Sequence, residues 1–325
     1  MIFFYFSTIK LHNLTSFTMI MKEKKTILVV GSANTDLVIS AEHFPLPGET
    51  MFGHGFMTNH GGKGANQAVA AARLEGKTVF IGKLGNDQFG HSTVEMLKGE
   101  GIDVSALTLT DEAPSGVAVI TTISSGENSI VLDSGANALL SAADILAAEP
   151  LFREGGIVLM QLETPVEALI EAAALGKKYG AYVVLNPAPA PKEPLPEALL
   201  KNVDLLIPNE TEAAYISGTE INTEEDMARA MDEIQKLGVK DVIITVGSKG
   251  VCARVDGQLI RVPAFKVKAV DTTAAGDTFC GALCVALSEG KTLEDAIRFG
   301  NKASSISVTR RGAQMSMPHL SEIEI

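Results

Sequence analysis

Cysteine is nearly missing from this sequence: three residues, Cys252, Cys280 and Cys284, among 325. They build neither a disulfide framework nor a zinc-binding pattern, and a reducing cytoplasm is the simplest setting. Tryptophan is absent and aromatics make up only 5% of the chain, which weakens a base-stacking or carbohydrate-platform reading. Positive charge is outnumbered, 27 Lys+Arg against 39 Asp+Glu, for a net charge of −12. That balance argues against nucleic acid or an anionic membrane as the main partner, while leaving room for a local amide-rich pocket that takes an anion. No apolar run approaches the roughly 20 residues of a membrane span. The six histidines show no metal-ligand spacing. What the chain does have is 46% hydrophobic and 20% charged residues, enough to bury a large core and too apolar for a disordered chain. The length corresponds to about two domains or one large α/β domain.

Residues 1–20 stand apart. They are aromatic-rich, their apolar run stops at Phe6, and Lys10, His12 and Asn13 break up the next stretch. A secretory signal has a basic region first and then an apolar one, the reverse of this order. Residues 1–20 are therefore expected to be a disordered extension or an unused upstream start, with Met19 or Met21 beginning the chain proper. A targeting segment is the alternative.

From Thr26 onward, strand-like and helix-like stretches alternate. Short continuous apolar runs at 26–30, 79–81, 157–160, 182–185, 205–207 and 242–246 predict strands buried on both faces. Helical stretches at 65–74, 92–99, 166–178 and 224–237 lie between them, the last with Thr223 as N-cap and Glu224, Glu225 and Asp226 in its first turn. Such alternation predicts an α/β fold, a mostly parallel central sheet with helices on both faces. Two segments break the pattern. Residues 37–58 and 115–133 have alternating, glycine-interrupted strand character, and the second reads as a hairpin turning at Ser125–Asn128. These pieces are expected to form a small antiparallel sheet, either an ordinary surface hairpin or a lid over a site.

Two segments carry chemistry. In Asp271-Thr272-Thr273-Ala274-Ala275-Gly276-Asp277, small residues precede an apolar helix that starts near Gly276. The backbone N–H groups of 274–277 are then uncovered, which makes an anion site. A carboxylate at that helix start is favoured in its charged form. Asp277 could accept a proton from a hydroxyl while the amides hold a transferring phosphoryl group; the plain alternative is a helix cap. The second segment, Gly61-Gly62-Lys63-Gly64-Ala65-Asn66-Gln67, is a glycine-rich turn into a helix. It matches neither a dinucleotide fingerprint nor a Walker A loop. Asn66 could both donate to and accept from sugar hydroxyls, or the turn could simply pack on the sheet. Lys63 and Lys249, as lone cations, could equally be solvated. Cys280 and Cys284 lie on a helix predicted to be buried and read as small core residues.

Both segments resemble the two signatures of the ribokinase/phosphofructokinase-B sugar kinase family, in the family's order. Connecting pieces resemble it too: Gly31-Ser32-Ala33-Asn34-Thr35-Asp36, Asn186-Pro187-Ala188-Pro189-Ala190, Pro208-Asn209-Glu210-Thr211-Glu212, Thr245-Val246-Gly247-Ser248-Lys249-Gly250 and Val308-Thr309-Arg310-Arg311-Gly312-Ala313-Gln314. The likeness covers about residues 25–318, within a kinase domain of 21–325. It implies ATP-dependent phosphorylation of D-ribose at its 5-hydroxyl. Asn34, Asp36, Gly62, Lys63, Asn66 and Glu163 would bind the sugar, Asp277 would be the base, and Ala274, Ala275 and Gly276 the anion hole. Asn209 and Glu212 would lie near the phosphates and Mg²⁺, with Thr245, Gly247, Ser248 and Gly250 forming a nucleotide loop and Asn301 near adenine. Asp271, Thr273, Ser307, Arg310, Gly312 and Ser316 would hold a monovalent cation, K⁺; Asp271 could instead only satisfy donors at a strand end. A homodimer joined through the lid is also implied. Alternatives are a kinase for another neutral sugar or a nucleoside, or a non-catalytic sugar-responsive regulator. The presence of Asp277 speaks against the last, since a binder needs no base.

Overall fold

The computed structural model describes residues 24–323 except 126 and 256. The expectations for residues 1–20 fall outside the described residues. Thirteen strands are described: β1 Ile27–Val30, β2 Asn34–Ala41, β3 His54–Gly61, β4 Thr78–Gly85, β5 Asp103–Thr110, β6 Gly116–Ile123, β7 Asn128–Asp133, β8 Ile157–Met160, β9 Tyr182–Leu185, β10 Leu205–Leu206, β11 Asp241–Thr245, β12 Val251–Val255 and β13 Gln258–Val262. The α-helices are α1 Lys63–Arg73, α2 Gln88–Gly99, α3 Ala142–Ala147, α4 Glu149–Phe152, α5 Val166–Lys178, α6 Glu197–Leu200, α7 Glu210–Ser217, α8 Glu224–Lys236, α9 Ala275–Ser288 and α10 Leu293–Ser307.

The central sheet has nine strands in the order β13-β12-β11-β10-β9-β8-β1-β4-β5. It is parallel from β11 to β5, as the buried apolar runs require, and only the pairs β11–β12 and β12–β13 are antiparallel. Side chains of a strand alternate between faces, and here each face meets its own helix layer. Ile27 and Val29 of β1 join the core under α1, α9 and α10. Leu28 and Val30 join the core under α5 and α8. Helix α8 begins as expected, with Thr223 and Asp226 forming a reciprocal cap.

Three strands escape the apolar-run pattern. β5 and β13 are partly exposed edge strands, and β12 is a short five-residue strand joined to β13 as a hairpin. None offers the continuous buried run that marks β1, β8 and β9.

The second sheet has the order β3-β2-β6-β7. It collects the two aberrant segments, with one correction to the expected antiparallel arrangement: β2 pairs with β6 in parallel. Both strands leave the central sheet in the same sense, β2 directly after β1 and β6 directly after β5, so they enter the small sheet side by side. The pairs β2–β3 and β6–β7 are antiparallel.

Chain order reverses at β1. From it the chain moves to β4 and β5 on one side, and later to β8 and its successors on the other. Open α/β sheets bind ligands at such a reversal, beyond the carboxyl ends of the strands. Here Val30 and Met160 lie side by side at those ends, placing Gly31–Asn34 and Gln161–Glu163 around the crevice. Among the described residues, no helix is long and apolar enough to cross a membrane.

Candidate active site

Helices α1 and α9 meet at the crevice. α1 enters through Gly62, whose φ is 86°; a Cβ there would lie 2.7 Å from the Ala33 Cα, so the close crossing of the chain after β1 admits only glycine. The first turn is tied to the strand ends. Glu163 Oε2 accepts from Ser32 Oγ at 2.6 Å and from the Lys63 N–H at 2.9 Å. Asn66 and Gln67 come next, pointing at α9.

α9 begins after Ala274, which occupies the left-handed region at φ 58°. The Ala275 N–H bonds back to the Thr272 carbonyl at 3.2 Å, so it is not uncovered as expected. Among the described residues, the N–H groups of Ala274, Gly276 and Asp277 have no protein acceptor. These three, at the positive end of the helix dipole, face the cavity.

Asp277 is 6% exposed. Its Oδ1 accepts from Gln67 Nε2 and its Oδ2 from Asn66 Nδ2, each at 3.0 Å. Burial pushes its carboxyl above the ordinary range, against the pull of Lys63 and the two carboxamides. Burial thus works against the charged form that the helix start was expected to favour. Behind the donors stands a buried amide network. Gln67 Nε2 also donates to Asn186 Oδ1, and Gln67 Oε1 accepts from Gln161 Nε2. Gln314 Nε2 donates to Asn66 Oδ1 at 3.1 Å. Asn66 is therefore engaged at both ends of its carboxamide rather than standing open. Sequence reasoning assigned no role to Gln67, Gln161, Asn186 or Gln314, although all four lie in or beside the segments singled out.

On the other wall, Asn34 is buried and its Oδ1 accepts from Asn137 Nδ2 at 2.8 Å. Asn137, which no motif signalled, also bonds both backbone polar groups of Ala33. Asp36, two residues on along β2, is pushed up to about 6 by burial, with the charge of Glu163 adding to it. Lys63 is not a lone solvated cation. Burial works against its charge, but Asp277, Glu163 and Glu212 together outweigh it and hold its pKa above the ordinary lysine value.

A cavity of about 370 Å³ opens at the α9 N-terminus, lined by Lys63, Asn209, Glu212, Thr245, Gly276 and Asp277 among others. Asn209 and Glu212 cap α7 reciprocally. Burial raises the Glu212 carboxyl, opposed by the Asn209 N–H and Lys63. A second cavity of about 360 Å³ adjoins it, sharing Gly247, Thr272 and Ala275; its wall is more apolar, with Phe265, Val267 and Val308 beside Ser248 and Asn301. Gly250 lines neither. At φ 98° it shapes the loop, and its carbonyl accepts from the Val246 N–H. A third cavity, about 510 Å³, lies between the small sheet and residues 311–315 and contains Asp36 and Ile120.

Asp271 is gripped by protein donors: Oδ1 by the Thr273 N–H and hydroxyl, Oδ2 by the Gly312 N–H at 2.9 Å. Burial alone would raise this carboxyl, but these bonds win and it lies below the usual range. Ser307 and Arg310 flank Val308, whose carbonyl accepts from the N–H groups of Val270 and Asp271. The Arg310 side chain turns away to pair with Glu322, and the Ser316 hydroxyl donates to the Ala313 carbonyl. Cys280 and Cys284 are buried, as expected of core residues, and burial raises both thiols.

A buried carboxylate beside free N–H groups at a helix start can take a proton from a hydroxyl while an anion is held next to it. Residues 24–320 match the model of the pfkB family carbohydrate kinases, and the chain belongs to that family. It is 45% identical to the ribokinase of Haemophilus influenzae over 295 residues, covering 91% of this chain and 96% of the relative. It is 36% identical to the deoxyribokinase of Salmonella typhimurium, covering 91% and 96%. The structure of Arabidopsis thaliana ribokinase complexed with ribose and ATP superposes with a TM-score of 0.86 at 38% identity, covering 92% of this chain and 97% of that one.

Asp36 yields a stability prediction. Its folded value of about 6 lies above the roughly 4 of an unfolded chain. The folded state holds the proton more tightly, so stability falls as pH rises from about 4 to about 6. Asp36→Asn removes that loss. The variant is expected to exceed the parent at pH 7 by up to about 2–3 kcal/mol, and not at pH 4. Urea melts at both pH values check this; an equal difference at both would refute it.

Proposed function

We propose that this chain transfers the γ-phosphoryl group of ATP to the 5-hydroxyl of D-ribose. The observation that carries the reading is a buried carboxylate, Asp277, set beside three free N–H groups at the start of α9 in the wall of the first cavity. The likeness to named ribokinases over nearly the whole chain supports ribose as the acceptor.

Asn34, Asp36, Gly62, Lys63, Asn66 and Glu163 hold the sugar hydroxyls from both walls of the crevice. Carboxylate and amide acceptors fixed by their own partners discriminate strongly against analogues that lack a hydroxyl. Asp277, its pKa raised by burial, takes the proton of the 5-hydroxyl as the oxygen attacks the γ-phosphorus in line. The developing charge falls on the N–H groups of the anion hole at Ala274, Gly276 and Asp277, with the Ala275 amide holding the turn instead. Lys63, set among three carboxylates, is the positive charge of the site. The nucleotide runs over the loop of Thr245, Gly247, Ser248 and Gly250, and its base enters the more apolar cavity beside Asn301.

Mg²⁺ fits Asn209 and Glu212. Both line the first cavity, where Glu212 could supply one carboxylate to an ion otherwise held by water and substrate phosphates. When bound it neutralises phosphate charge. The region of Asp271, Thr273, Ser307, Arg310, Gly312 and Ser316 fits a monovalent cation in charge, since hydrogen bonds from Thr273 and Gly312 hold the Asp271 carboxyl below the usual range. K⁺ there would not touch substrate; the Asp271 grip on Thr273 would keep the anion-hole turn still. The exposed apolar side chains of the small sheet, Phe56, Val119 and Val131, support a lid-to-lid homodimer, and the scarcity of cysteine supports a cytoplasmic setting.

ADP release with ribose, 2-deoxyribose, fructose and adenosine tests the reading. Ribose is expected to give the highest kcat/KM; preference for 2-deoxyribose or no turnover with ribose would overturn it. Asp277→Asn is expected to lower kcat by about 10²–10⁴ with sugar affinity changed only a few-fold. Near-parent turnover would remove Asp277 from the chemistry. Replacing Na⁺ by K⁺ at equal ionic strength is expected to raise the rate, and Asp271→Ala to abolish that response. A flat titration across K⁺, Cs⁺ and Na⁺ would mean that Asp271 only ties down the strand end.

A further inference from the structure

A carboxylate oxygen can only accept hydrogen bonds. Asn66 must therefore present its NH₂ to Asp277 Oδ2 and turn its carbonyl away. That carbonyl accepts from Gln314 Nε2, and both residues are buried. Gln314 thus supplies the donor that fixes which way round the Asn66 carboxamide stands. Its own position is set by α1. Arg73, two helical turns beyond Asn66, donates to the backbone carbonyls of Gln314 and Met317 and is braced by Glu100. Two residues before Gln314, the Gly312 N–H holds Asp271 Oδ2. The stretch 312–314 therefore joins the carboxylate of Asp271 to the carboxamide that orients Asp277.

We infer that Gln314 is a positioning residue: it holds Asn66 in the orientation that donates to Asp277 and ties that orientation to the Asp271 loop. The inference rests on Asp277 acting as the base. An apolar side chain in place of Gln314 frees Asn66 to turn. An acceptor of the same shape does more. It draws the Asn66 NH₂ to itself and swings the Asn66 carbonyl onto the Asp277 carboxylate, where two acceptors repel.

The test compares Gln314→Glu and Gln314→Met in the full chain, measuring kcat, ribose KM and thermal unfolding. Gln314→Met is expected to lower kcat about 10-fold and Gln314→Glu about 100-fold, as misplacement of a reacting group does. Ribose KM should move less than kcat does in both, because Asn66 is one sugar contact among several while the base it orients acts in the chemical step. A residue that served only packing would lower the melting temperature and leave kcat alone. A folded variant of either kind with kcat within about two-fold of the parent overturns the inference. If Gln314→Glu does not fold, the uncharged Gln314→Met decides. If neither folds, hydrogen exchange of the Gln314 side-chain N–H groups in the parent decides by NMR: exchange much slower than that of a solvated glutamine supports the bond to Asn66 Oδ1, and exchange as fast as a solvated glutamine's overturns the inference. Parent-like turnover in Asp277→Asn would sink the base assignment itself. An inactive Asp277→Asn beside a parent-like Gln314→Met would sink only the role of Gln314.

Discussion

A carboxylate removed from water is costly unless its lone pairs are met, and Asp277 meets that condition through two neighbouring carboxamides on a different helix. Much of the architecture serves to satisfy it. Asn66 and Gln67 can both reach α9 only if α1 starts close against the end of β1, which requires glycine at position 62. Each carboxamide then needs partners for its remaining groups, and these come from far along the chain: Gln161 after β8 donates to the Gln67 carbonyl, Asn186 after β9 accepts from the Gln67 NH₂, and Gln314 after α10 donates to the Asn66 carbonyl. Carboxyl-terminal ends of separate strands are thereby drawn to one point. Cross-linked amides of this kind hold one another in place, even with Gln161 Oε1 left without a hydrogen-bond partner among the described residues, so the carboxylate is held by the fold rather than by a single loop.

Lys63 shows the complementary effect. Desolvation alone would weaken its positive charge, yet Asp277, Glu163 and Glu212 surround it and restore that charge. The negative net charge of the chain is thus no obstacle to an anionic substrate. A single ammonium and three backbone N–H groups, set in a low-dielectric recess, act at short range where the overall charge is screened.

The central sheet was legible from its apolar runs because β1, β8 and β9 are buried on both faces, and a doubly buried strand needs no polar alternation. β5 and β13 were not, since an edge strand shares its composition with a surface loop. In the small sheet the strands could be anticipated but not their directions; the parallel β2–β6 pair depends on where each strand leaves the large sheet, which no local pattern encodes. At the site, Asp277 and Asn66 stood out because glycines and small residues surround them, and Glu163 only through the family resemblance. Asn137 and Gln314 did not, because each works on a residue more than 100 positions away. Whether Lys63 is solvated, or Asp277 raised in pKa, turns on burial, and burial is a property of the assembled chain.

Ala274 sits in a backbone conformation that costs a residue with a side chain about 1 kcal/mol or more. Glycine would occupy it freely. The methyl group narrows what the turn can do when the site is empty: a chain with fewer alternative conformations loses less entropy on adopting the one that aims its N–H groups at a phosphate. The strain is met by the Thr278 N–H and hydroxyl, both bonded to the Ala274 carbonyl. A small loss of folding stability at this position thereby becomes a smaller ordering cost in each catalytic cycle.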